Sequence, residues 1–588
     1  MDDSSRRPRR YLTAEEILEL MNQADSDLSS LSDDDEDYQD NVELNDDDDD
    51  EDEDDDDISI LDLISSSNPG KWGIHTDAFP APTSNFCQKS GVNHSSSKPI
   101  EYFLEYLDDD FFREMANCTN IRSVIQTGKS ANVSPEEIQI FIGCSLLLSC
   151  YGYPRLKMVW ERFTRIPVIA DNIARDRFFQ FRSNLKVIND NDVSDDSKKS
   201  DKFWKVRPLL SKIRERCLQQ ERPRIVSIDE QIIPFHGQIS MRQYVKGKPN
   251  PVGLKVFVMC TTYGLPLDFI FYEGKGTDVQ SPEDTSDLDL GGKIALKLSD
   301  SLQPWSSIYV DRYFTSELLF DILLNREVFA TGTLMKNKVP KLTELQTDRD
   351  MKRNGRGSVD QIVRNDKRCC LVKWFDNRGV LLLSTESGKL PMEKCSRWSK
   401  KEKKYLDINR PAIVKNYNEF MGGVDHLDRC ISNYRMKNRT KKWTVRVILH
   451  MIDFAVSSAW IAYRHKMEAA GALKKDIFDY FHFRLNVATT LIYGLKQSQQ
   501  RIATISSYDE SIEDSEPPAK RRIPACMPHD SARKKDVRHM PEMVGDRIHR
   551  SKCRMPKCNA LTTVRCSNCK VFLCFNGSRN CFKQFHEK

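Results

Sequence analysis

The sequence predicts a multidomain α+β protein whose central element is a mixed β-sheet with helices on its faces. Three features of the stretch from Arg224 to Thr333 support this fold class. Three strand-like runs rich in β-branched residues come first, and helical and strand-like stretches then alternate. Antiparallel neighbours followed by alternating helices and strands are typical of a mixed sheet. Two of the predicted strands end in a carboxylate, at Asp229 and Asp311.

The elements of this stretch are predicted, in chain order, as strands at 225–229, 256–261 and 267–272, a helix near 294–302, a strand at 308–311, a helix at 316–325 and a strand at 328–334. A ribonuclease H-like core has this order, with one acid on the first strand and another at the end of the fourth. Because apolar neighbours penalise an unpaired carboxylate, both acids require a cation. Such a core also needs a third acid, which normally lies on a later helix.

The formal net charge of +2 conceals a strongly basic body. From Asp33 to Asp57 the chain has 19 acidic and no basic residues, so 89 basic residues face 68 acidic ones in the remainder, a net charge of about +21. A basic body suits a polyanionic partner, because lysine and arginine release counterions when they neutralise phosphates. Solvated basic surface is the alternative interpretation at this point.

The N terminus and the apolar runs predict a soluble, intracellular protein. The first residues lack the apolar segment that a secretory signal needs. The longest apolar runs, Ile138 to Tyr151 and Val447 to Tyr463, are too short for a membrane span or contain Asp453. We therefore predict two buried helices and no membrane partner.

The first two segments of the chain have opposite characters. Residues 1–95 are predicted to form a disordered acidic arm, because they lack the apolar density for a core and the acidic block repels itself. Residues 96–222 are predicted to be helical, with Ser134 as the N-cap of a helix that begins at Pro135. Arginine interleaved with aromatic residues in this segment fits either phosphate contact or an aromatic core with a basic rim.

A β-rich insertion domain is predicted at residues 337–410. Its alternating runs at 358–363, 370–375 and 380–385 are separated by Asn-Asp and Asp-Asn-Arg-Gly turns. The insertion would interrupt the catalytic domain, which is predicted to comprise residues 223–336 and 411–432.

The second part of the catalytic domain supplies further acids. Asp425 and Asp428 are three residues apart and therefore face the same way on a helix. Acids at this spacing are usually surface residues. Here the Gly422-Gly423 pair permits close backbone packing and the core still needs a third carboxylate, so we predict a catalytic role.

Several motifs of the chain resemble those of the piggyBac transposase family. They are Asp229-Glu230 before Pro234-Phe235, Arg242 and Tyr244 before Lys248-Pro249, Gly253-Leu254-Lys255, Asp311 to Ser316, Ala330 to Thr333 and Tyr417 to Asp428. The resemblance spans roughly residues 99–499 and resumes at the C terminus. It implies a cut-and-paste DNA transposase acting at TTAA sites, with Asp229, Asp311 and Asp425 as catalytic residues and Asp428 as an accessory one.

The resemblance also implies partners and a reaction cycle. Residues 96–222 and 433–500 would form one helical dimerisation and DNA-binding domain, so that a homodimer binds the transposon terminal repeats and the target as double-stranded DNA. The cycle would be nicking at the transposon end, hairpin formation by the freed 3′-hydroxyl, hairpin opening and joining to the target. Relatives usually have asparagine where this chain has Arg312, a cation that could pair with the carboxylate or with DNA.

Three converging carboxylates suit two Mg²⁺ or Mn²⁺ ions per active site. One ion would activate water or a 3′-hydroxyl, and the other would stabilise the leaving oxygen. Basic and aromatic residues near the catalytic strands and before the last long helix are predicted to contact DNA, with a basic hairpin or a core tryptophan as the alternatives. They are Arg242, Tyr244, Lys246, Lys248, Lys255, Arg312, Arg435, Lys437, Arg439, Lys441, Lys442 and Trp443.

Residues 501–538 are predicted to be a linker. The segment Pro517 to Arg522 fits either a nuclear import signal or a plain solvated linker. Because an enzyme of chromosomal DNA must reach that DNA, we predict a nuclear location.

Residues 539–588 are predicted to fold around two Zn²⁺ ions in a cross-brace. Six of the 17 cysteines fall within 29 residues, which in an intracellular protein favours zinc over disulfides. The eighth ligand would be His539 or, alternatively, His549, and the resemblance favours His539. The predicted pairing joins His539 with Cys553, Cys558 and Cys574, and it joins Cys566 and Cys569 with Cys581 and His586.

Two other functions compete with the transposase. A host-recruited relative would bind transposon ends without cutting them, and the intact aspartates argue against this. An interaction module of the ring-type ubiquitin-ligase or histone-reader kind would depend on the zinc fold alone, and the basic core argues against that.

Overall fold

The computed structural model divides the chain into two compact units, Met1–Ser498 and Gln499–Lys588, and each is described separately. The predicted linker lies outside the described residues, as do Lys246, Lys437, Arg439, His549 and nearly all of the predicted acidic arm. The described residues are 72–76, 79, 85–87, 98–245, 248, 250–274, 277, 279, 287–339, 345–399, 402–436, 440–494, 539–544 and 550–587.

A ten-stranded mixed sheet forms the centre of the first unit. Its order is β1-β8-β9-β10-β7-β6-β2-β4-β3, with β5 also paired to β4. The strand β2 runs antiparallel to β4 and parallel to β6, which is in turn parallel to β7. The predicted mixed sheet is confirmed. The strands are β1 (Trp72–His75), β2 (Ile225–Pro234), β3 (Arg242–Tyr244), β4 (Val252–Thr261), β5 (Pro266–Phe271), β6 (Ser307–Val310), β7 (Phe329–Thr333), β8 (Ser358–Arg364), β9 (Cys370–Phe375) and β10 (Gly379–Ser384).

Helices cover both faces of this sheet. Short 3₁₀ turns lie at Leu156–Trp160, Asp190–Asp192, Lys336–Lys338 and Lys474–Asp476. The helices are α1 (Pro99–Leu104), α2 (Asp109–Thr127), α3 (Pro135–Tyr151), α4 (Pro167–Ala170), α5 (Arg175–Asn184), α6 (Asp195–Ser200), α7 (Arg207–Leu218), α8 (Leu290–Ser299), α9 (Glu317–Asn325), α10 (Asp348–Asn354), α11 (Ala412–Phe420), α12 (Gly423–Asn433), α13 (Trp443–Ala469) and α14 (residues 480–494).

Alternation along β4 explains why the sheet is buried on both faces. Val256 and Val258 belong to a hydrophobic core shared with helices of the N-terminal and C-terminal segments. Phe257 and Met259 point the other way, into a second core with α8 and α9. Successive side chains of a strand point to opposite faces, so one uninterrupted apolar run supplies both cores.

The helical segments before and after the sheet share one core. The helix α13 packs against α1 and α7, and α14 contributes Phe483 and Val487 to the same cluster. By length and composition α13 could cross a membrane, but 89% of its most apolar window is buried inside the protein. The two long apolar runs are therefore buried helices, as predicted. The domain boundaries and the use of this helical layer for dimerisation stay predictions.

The strands of the predicted β-rich insertion continue the central sheet. The strands β8, β9 and β10 form where they were expected, but β10 pairs antiparallel with β7 of the core. They extend the central sheet because β7 would otherwise leave its backbone groups unpaired. A separate ribbon follows, formed by β11 (Glu393–Ser399) and β12 (Lys404–Arg410), which sequence alternation did not indicate.

The prediction of a disordered arm at 1–95 is wrong for one short stretch. Trp72–His75 forms the edge strand β1, paired with β8. Trp72 is buried, and its Nε1 donates a hydrogen bond to Glu317 Oε1 at 3.2 Å. Four residues are too few to show a period, and only the edge of β8 gives them a partner.

The described part of the second unit, residues 539–544 and 550–587, contains two-stranded ribbons and one helix. The strand β13 pairs with β16, β14 with β15, and β17 with β18. Its apolar core is built largely from the cysteines and two phenylalanines of α15. The elements are β13 (Pro541–Met543), β14 (Ser551–Lys552), β15 (Leu561–Thr562), β16 (Val564–Cys566), β17 (Phe575–Asn576), β18 (Arg579–Asn580) and α15 (Cys581–Glu587).

A buried ion pair ties the helical layer together. Asp453 on α13 and Arg484 on α14 have side chains that are 1% and 0% exposed. Asp453 Oδ1 accepts from Arg484 Nη2, and Asp453 Oδ2 accepts from the Met436 backbone N–H at 2.8 Å. Arg484 also donates to Ser149 Oγ of α3 at 2.9 Å. One acid therefore links three parts of the helical layer.

We expect Asp453→Asn to lower the free energy of unfolding by about 3 kcal/mol, because Arg484 would keep a buried charge without its counter-ion. Urea denaturation followed by circular dichroism measures this. Glu468→Gln is the matched control: Glu468 pairs with Arg464 on the same helix at 2.8 Å, but both side chains are about half exposed. The control should change stability by less than about 0.5 kcal/mol. Equal effects of the two substitutions would contradict the importance of the buried pair.

Candidate active site and metal centres

The register of two parallel strands brings the two predicted catalytic carboxylates together. Ile228 of β2 pairs with Val310 of β6, so the next residues, Asp229 and Asp311, lie side by side. Asp311 follows the end of β6, as predicted, but β2 continues past Asp229 to Pro234. Glu230 joins them, and one ligand oxygen from each of the three residues lies within 4.8 Å of the others. Clustered carboxylate oxygens are the ligands that Mg²⁺ and Mn²⁺ prefer.

Burial makes this cluster unfavourable unless a cation is near. Burial raises the pKa of Asp229 well above its usual range, and the Glu230 carboxylate raises it further. Burial also raises the pKa of Asp311 to about 6, again with a contribution from Glu230. In Glu230 burial acts in the same direction, but Lys248 and Lys255 outweigh it and lower the pKa. The cluster therefore keeps negative charge that a bound cation would stabilise.

Two lysines of the predicted DNA-binding set lie beside the carboxylates. Lys248 Nζ is 3.2 Å from Glu230 Oε1 and 3.9 Å from Asp229 Oδ2. It also donates a hydrogen bond to the Glu230 carbonyl oxygen at 3.3 Å. Lys255 on β4 lies over the ring of Tyr313, with its Nζ 4.3 Å from the centroid. Their positive charges offset part of the repulsion within the cluster.

The helix α12 carries the later acids to the sheet. A Cβ at Gly423 would lie 2.3 Å from the Thr261 carbonyl oxygen, so glycine is required for this close approach. The predicted role of the glycine pair in packing is therefore confirmed at Gly423. Asp428 is half-buried, and burial raises its pKa to about 6. Asp425, one turn earlier, is exposed.

The structure brings only two members of the predicted trio, Asp229 and Asp311, into one cluster. Within the described part of the chain, Glu230 takes the third place in the cluster and Asp425 is not a member. Asp425 still acts on this region electrostatically, because its charge raises the pKa of Lys248 and of Asp428. A fourth carboxylate close to three others would add repulsion unless a cation offsets it. The role of Asp425 as a metal ligand stays a prediction.

A polar network that no motif indicated fixes Asp428. The Gln231 amide nitrogen donates a hydrogen bond to Asp428 Oδ1, and Gln231 Oε1 lies 3.0 Å from Nε2 of the buried His450. Because the amide oxygen can only accept, His450 Nε2 carries the proton. Burial, followed by the charges of Arg435 and Arg446, lowers the pKa of His450 well below its usual range, so the ring is neutral. The sequence offered one signal of this network: Gln231 is a polar residue inside a strand that is otherwise largely apolar.

The remaining residues predicted to contact DNA differ in their surroundings. Arg242 and Tyr244 lie on β3, and Tyr244 is 43% exposed. Arg312 and Lys441 are exposed. Arg435 is half-buried, and burial lowers its pKa.

Trp443 begins α13 as a partly packed residue. Its ring meets that of Phe203 edge to face, with centroids 5.7 Å apart. The neighbouring Lys442 donates from its Nζ to the Ser183 carbonyl oxygen at 3.3 Å. These contacts favour a packing role for Trp443, and its contact with DNA stays a prediction.

Two sets of four ligands come together in the second unit. One contains Cys553, Cys558, Cys574 and Cys581, and the other contains His539, Cys566, Cys569 and His586. Two sulfurs bound to one Zn²⁺ at about 2.3 Å lie about 3.8 Å apart in a tetrahedron. Cys558 Sγ and Cys574 Sγ are 3.9 Å apart, and His539 Nδ1 is 3.5 Å from Cys566 Sγ. Both sets therefore fit zinc.

The predicted pairing of the zinc ligands is wrong in two positions, because His539 and Cys581 exchange places. Pro541 pairs with Cys566 across β13 and β16, which places His539 beside that cysteine. The N–H of Phe582 donates to the Cys574 carbonyl oxygen at 3.1 Å, which places Cys581 beside Cys574. The two sets interleave along the chain, so the cross-brace arrangement is kept.

These features define a class of protein, a transposase: a family model described as Transposase IS4 matches residues 98–460, more than half of the chain. Human relatives narrow the class. PiggyBac transposable element-derived protein 3 is 28% identical over 482 residues, covering 81% of this chain and 74% of the relative. PiggyBac transposable element-derived protein 2 is 31% identical over 377 residues, covering 62% of this chain and 61% of the relative. The chain belongs to the piggyBac-type transposase family.

A solved structure agrees with this assignment at the level of the fold. It is a cryo-EM structure of a piggyBac transposase synaptic complex with hairpin DNA. The likeness covers 71% of this chain and 85% of that chain, with a TM-score of 0.56 and 22% sequence identity. The family resemblance drawn from the sequence motifs is therefore confirmed.

The metal-free protein should lose stability as pH rises through the titration of Asp311. The pKa of this carboxyl group is 3.8 in the unfolded chain and about 6 in the folded one, so the folded state binds the proton more tightly. Its contribution to stability is present below about pH 4 and is lost as pH rises through about 6. We expect Asp311→Asn to weaken this dependence and to be on the order of 1 kcal/mol more stable than the parent at neutral pH.

Differential scanning fluorimetry across this pH range, with and without Mg²⁺, measures the effect. Mg²⁺ should raise the melting temperature of the parent and raise that of Asp311→Asn much less. Asp196→Asn, which alters an exposed acid on α6, is the control and should behave as the parent. An unchanged pH profile in Asp311→Asn would contradict the assigned titration.

Removal of zinc should unfold the second unit, because its small core is built around the ligands. We expect two Zn²⁺ per chain by mass spectrometry under native conditions. His539→Ala should weaken one site, and Cys581→Ser the other. His549→Ala is the control and should keep both ions. A module that keeps its fold after chelation would contradict the zinc assignment.

Proposed function

We propose that this chain excises and joins DNA at TTAA sites by a cut-and-paste route that uses divalent metal ions. The observation that carries the proposal is the convergence of Asp229 and Glu230 of β2 with Asp311, which follows β6, in a chain of a transposase family. The proposed cycle is nicking, hairpin formation by the freed 3′-hydroxyl, hairpin opening and joining to target DNA.

The chemistry of the donor set supports the choice of metal. Its ligand atoms are carboxylate oxygens held within 4.8 Å of one another, which suits Mg²⁺ or Mn²⁺. When bound, two ions supply an activated oxygen nucleophile and a stabilised leaving group. Asp229, Glu230 and Asp311 would hold the ions, and Asp425 is the proposed further ligand from α12.

Positive side chains around the cluster support DNA as the substrate. Carboxylates alone would repel a phosphodiester, and Lys248 and Lys255 counter that repulsion. Gln231 donates a hydrogen bond to Asp428, and His450 holds Gln231 through its amide oxygen, so the orientation of Asp428 is fixed. We assign these two residues a positioning role and Asp428 the accessory acid role.

The partners and location belong to the same proposal. The helical layer would form the homodimer, and the zinc module would recognise the transposon terminal repeats as double-stranded DNA. Work on chromosomal DNA would require a nuclear location. The basic excess outside the acidic block supports a polyanionic partner.

The alternative function is DNA binding without full transposition. The names of the two human relatives describe them as transposable element-derived proteins, which is the observation that favours a domesticated role. Such a protein would bind transposon ends and leave them uncut. Retention of the carboxylate cluster favours the enzyme.

An excision assay with the element's own ends tests the proposal. We expect the parent to release a marked DNA segment and restore an intact TTAA. Asp229→Asn, Asp311→Asn and Asp425→Asn should each reduce excision by about 10²-fold or more, because metal-assisted catalysis supplies several kcal/mol to the transition state. Binding to the same ends, measured by mobility shift, should remain within about threefold of the parent.

Asp196→Asn on α6 should excise as the parent does, which controls for loss of any acid. Binding by the parent without excision would support the domesticated alternative. If the Asp311→Asn variant still excised DNA, the proposal that Asp311 holds the divalent ions would be wrong.

A further inference from the structure

The ribbon of β11 and β12 has two faces with different surroundings. Its register pairs Lys394 with Asn409, Ser396 with Asp407 and Trp398 with Tyr405. All six of these side chains are exposed. The intervening residues include Cys395, Ile408 and Arg410, which are less exposed. Because side chains alternate along a strand, one face of the ribbon packs on the protein and the other faces solvent.

The inner face fixes the ribbon to the sheet. Ile408 is buried in a core with Val372 and Trp374 of β9. Trp374 Nε1 donates a hydrogen bond to the Asn409 carbonyl oxygen at 2.8 Å, and the Arg397 guanidinium lies 5.7 Å from the centre of the Trp374 ring. The ribbon is therefore anchored to the sheet, and its outer face has a fixed orientation.

Two aromatic side chains dominate the outer face. Trp398 is 49% exposed and Tyr405 is 69% exposed. Their rings meet at an interplanar angle of 67°, with centroids 5.2 Å apart. Large aromatic side chains exposed on an anchored element often bind a partner. Burying their apolar surface in the partner releases ordered water, which favours binding. Nucleobases are suitable partners, because they have flat π faces.

The positive charge of the ribbon favours a negatively charged partner. Residues 393–410 contain seven basic and three acidic residues. Lys394 lies on the aromatic face, Lys403 lies two residues before Tyr405, immediately before the second strand begins, and both are exposed. Aromatic rings between lysines match a strand of nucleic acid, whose bases stack and whose phosphates carry negative charge.

We propose that the outer face of the ribbon binds DNA bases that are unpaired, with Trp398 and Tyr405 stacking on them and Lys394 and Lys403 holding the flanking phosphates. The proposal rests on the proposed function, since strand cleavage and hairpin formation expose such bases. The contacts at the base of the ribbon connect it to the helical segment that carries the later acids of the proposed active site. Glu393 of β11 pairs with Lys415 of α11 at 2.6 Å, and α11 leads directly into α12.

Fluorescence anisotropy with a labelled oligonucleotide tests the proposal. The probe is a mixed-sequence single strand, compared with a blunt duplex of the same sequence, and the protein carries Asp311→Asn so that DNA stays uncut. Trp398→Ala and Tyr405→Ala should each weaken single-strand binding about 10-fold and duplex binding less. Trp398→Phe should restore most of the affinity. Lys394→Gln should reduce the salt dependence of single-strand binding by about 0.7 in log–log slope.

Matched controls separate stacking from general damage. Tyr151→Ala removes another exposed ring of the same unit, one that meets Tyr153 with centroids 6.4 Å apart, and it should leave binding unchanged. All variants should melt as the parent does, since the removed rings are exposed. Unchanged single-strand affinity in both ribbon variants would overturn the proposal. The proposal would also be overturned if sedimentation showed that Trp398→Ala loses a dimer formed by the parent. The outer face would then bind a second copy of this chain.

The two proposals fail in different ways. Absence of excision by the parent removes the proposed function and leaves the binding comparison readable. Normal excision together with unaltered single-strand affinity in the ribbon variants removes this inference alone.

Discussion

Repulsion between like charges at the centre of the sheet is the constraint on which the rest of the structure depends. The pairing of β2 with β6 places Asp229 beside Asp311, and Glu230 adds a third carboxylate. Burial raises the pKa of both aspartates, so the arrangement is unfavourable without positive charge. Buried clusters of this kind are typical of functional sites.

The elements around the cluster are arranged to hold it in place. The sheet is buried on both faces, which fixes the strand ends, and Gly423 lets α12 approach β4 closely. The pair of Asp453 and Arg484 joins α13 to α14, and His450 on α13 reaches Gln231 beside the cluster. The helical layer is thereby connected to the carboxylate cluster. Helices far apart in sequence share one core with the strands that carry the cluster.

Much of the fold and part of the site could be predicted from the sequence. The strand order around Asp229 and Asp311, the capping of α3 by Ser134 and the cysteine-rich module all followed from local patterns. The strand β1, the ribbon and the continuation of the sheet into β8 to β10 did not, since each depends on a distant partner strand. In the site, Glu230 was visible in the motif, but its place in the cluster depends on how β2 and β6 pair.

The sequence by itself determined the candidates for the chemistry: which acids lie on buried strands, which cysteines and histidines are suited to hold a metal, and which family the motifs resemble. Tertiary structure alone decided which side chains meet in each cluster. Glu230 lies with Asp229 and Asp311, and His539 and Cys581 exchange places between the two sets of cysteines and histidines. The physical reason is the same in both cases. Local patterns report what a side chain can do, whereas strand register and helix docking fix the few ångströms that decide which side chains meet.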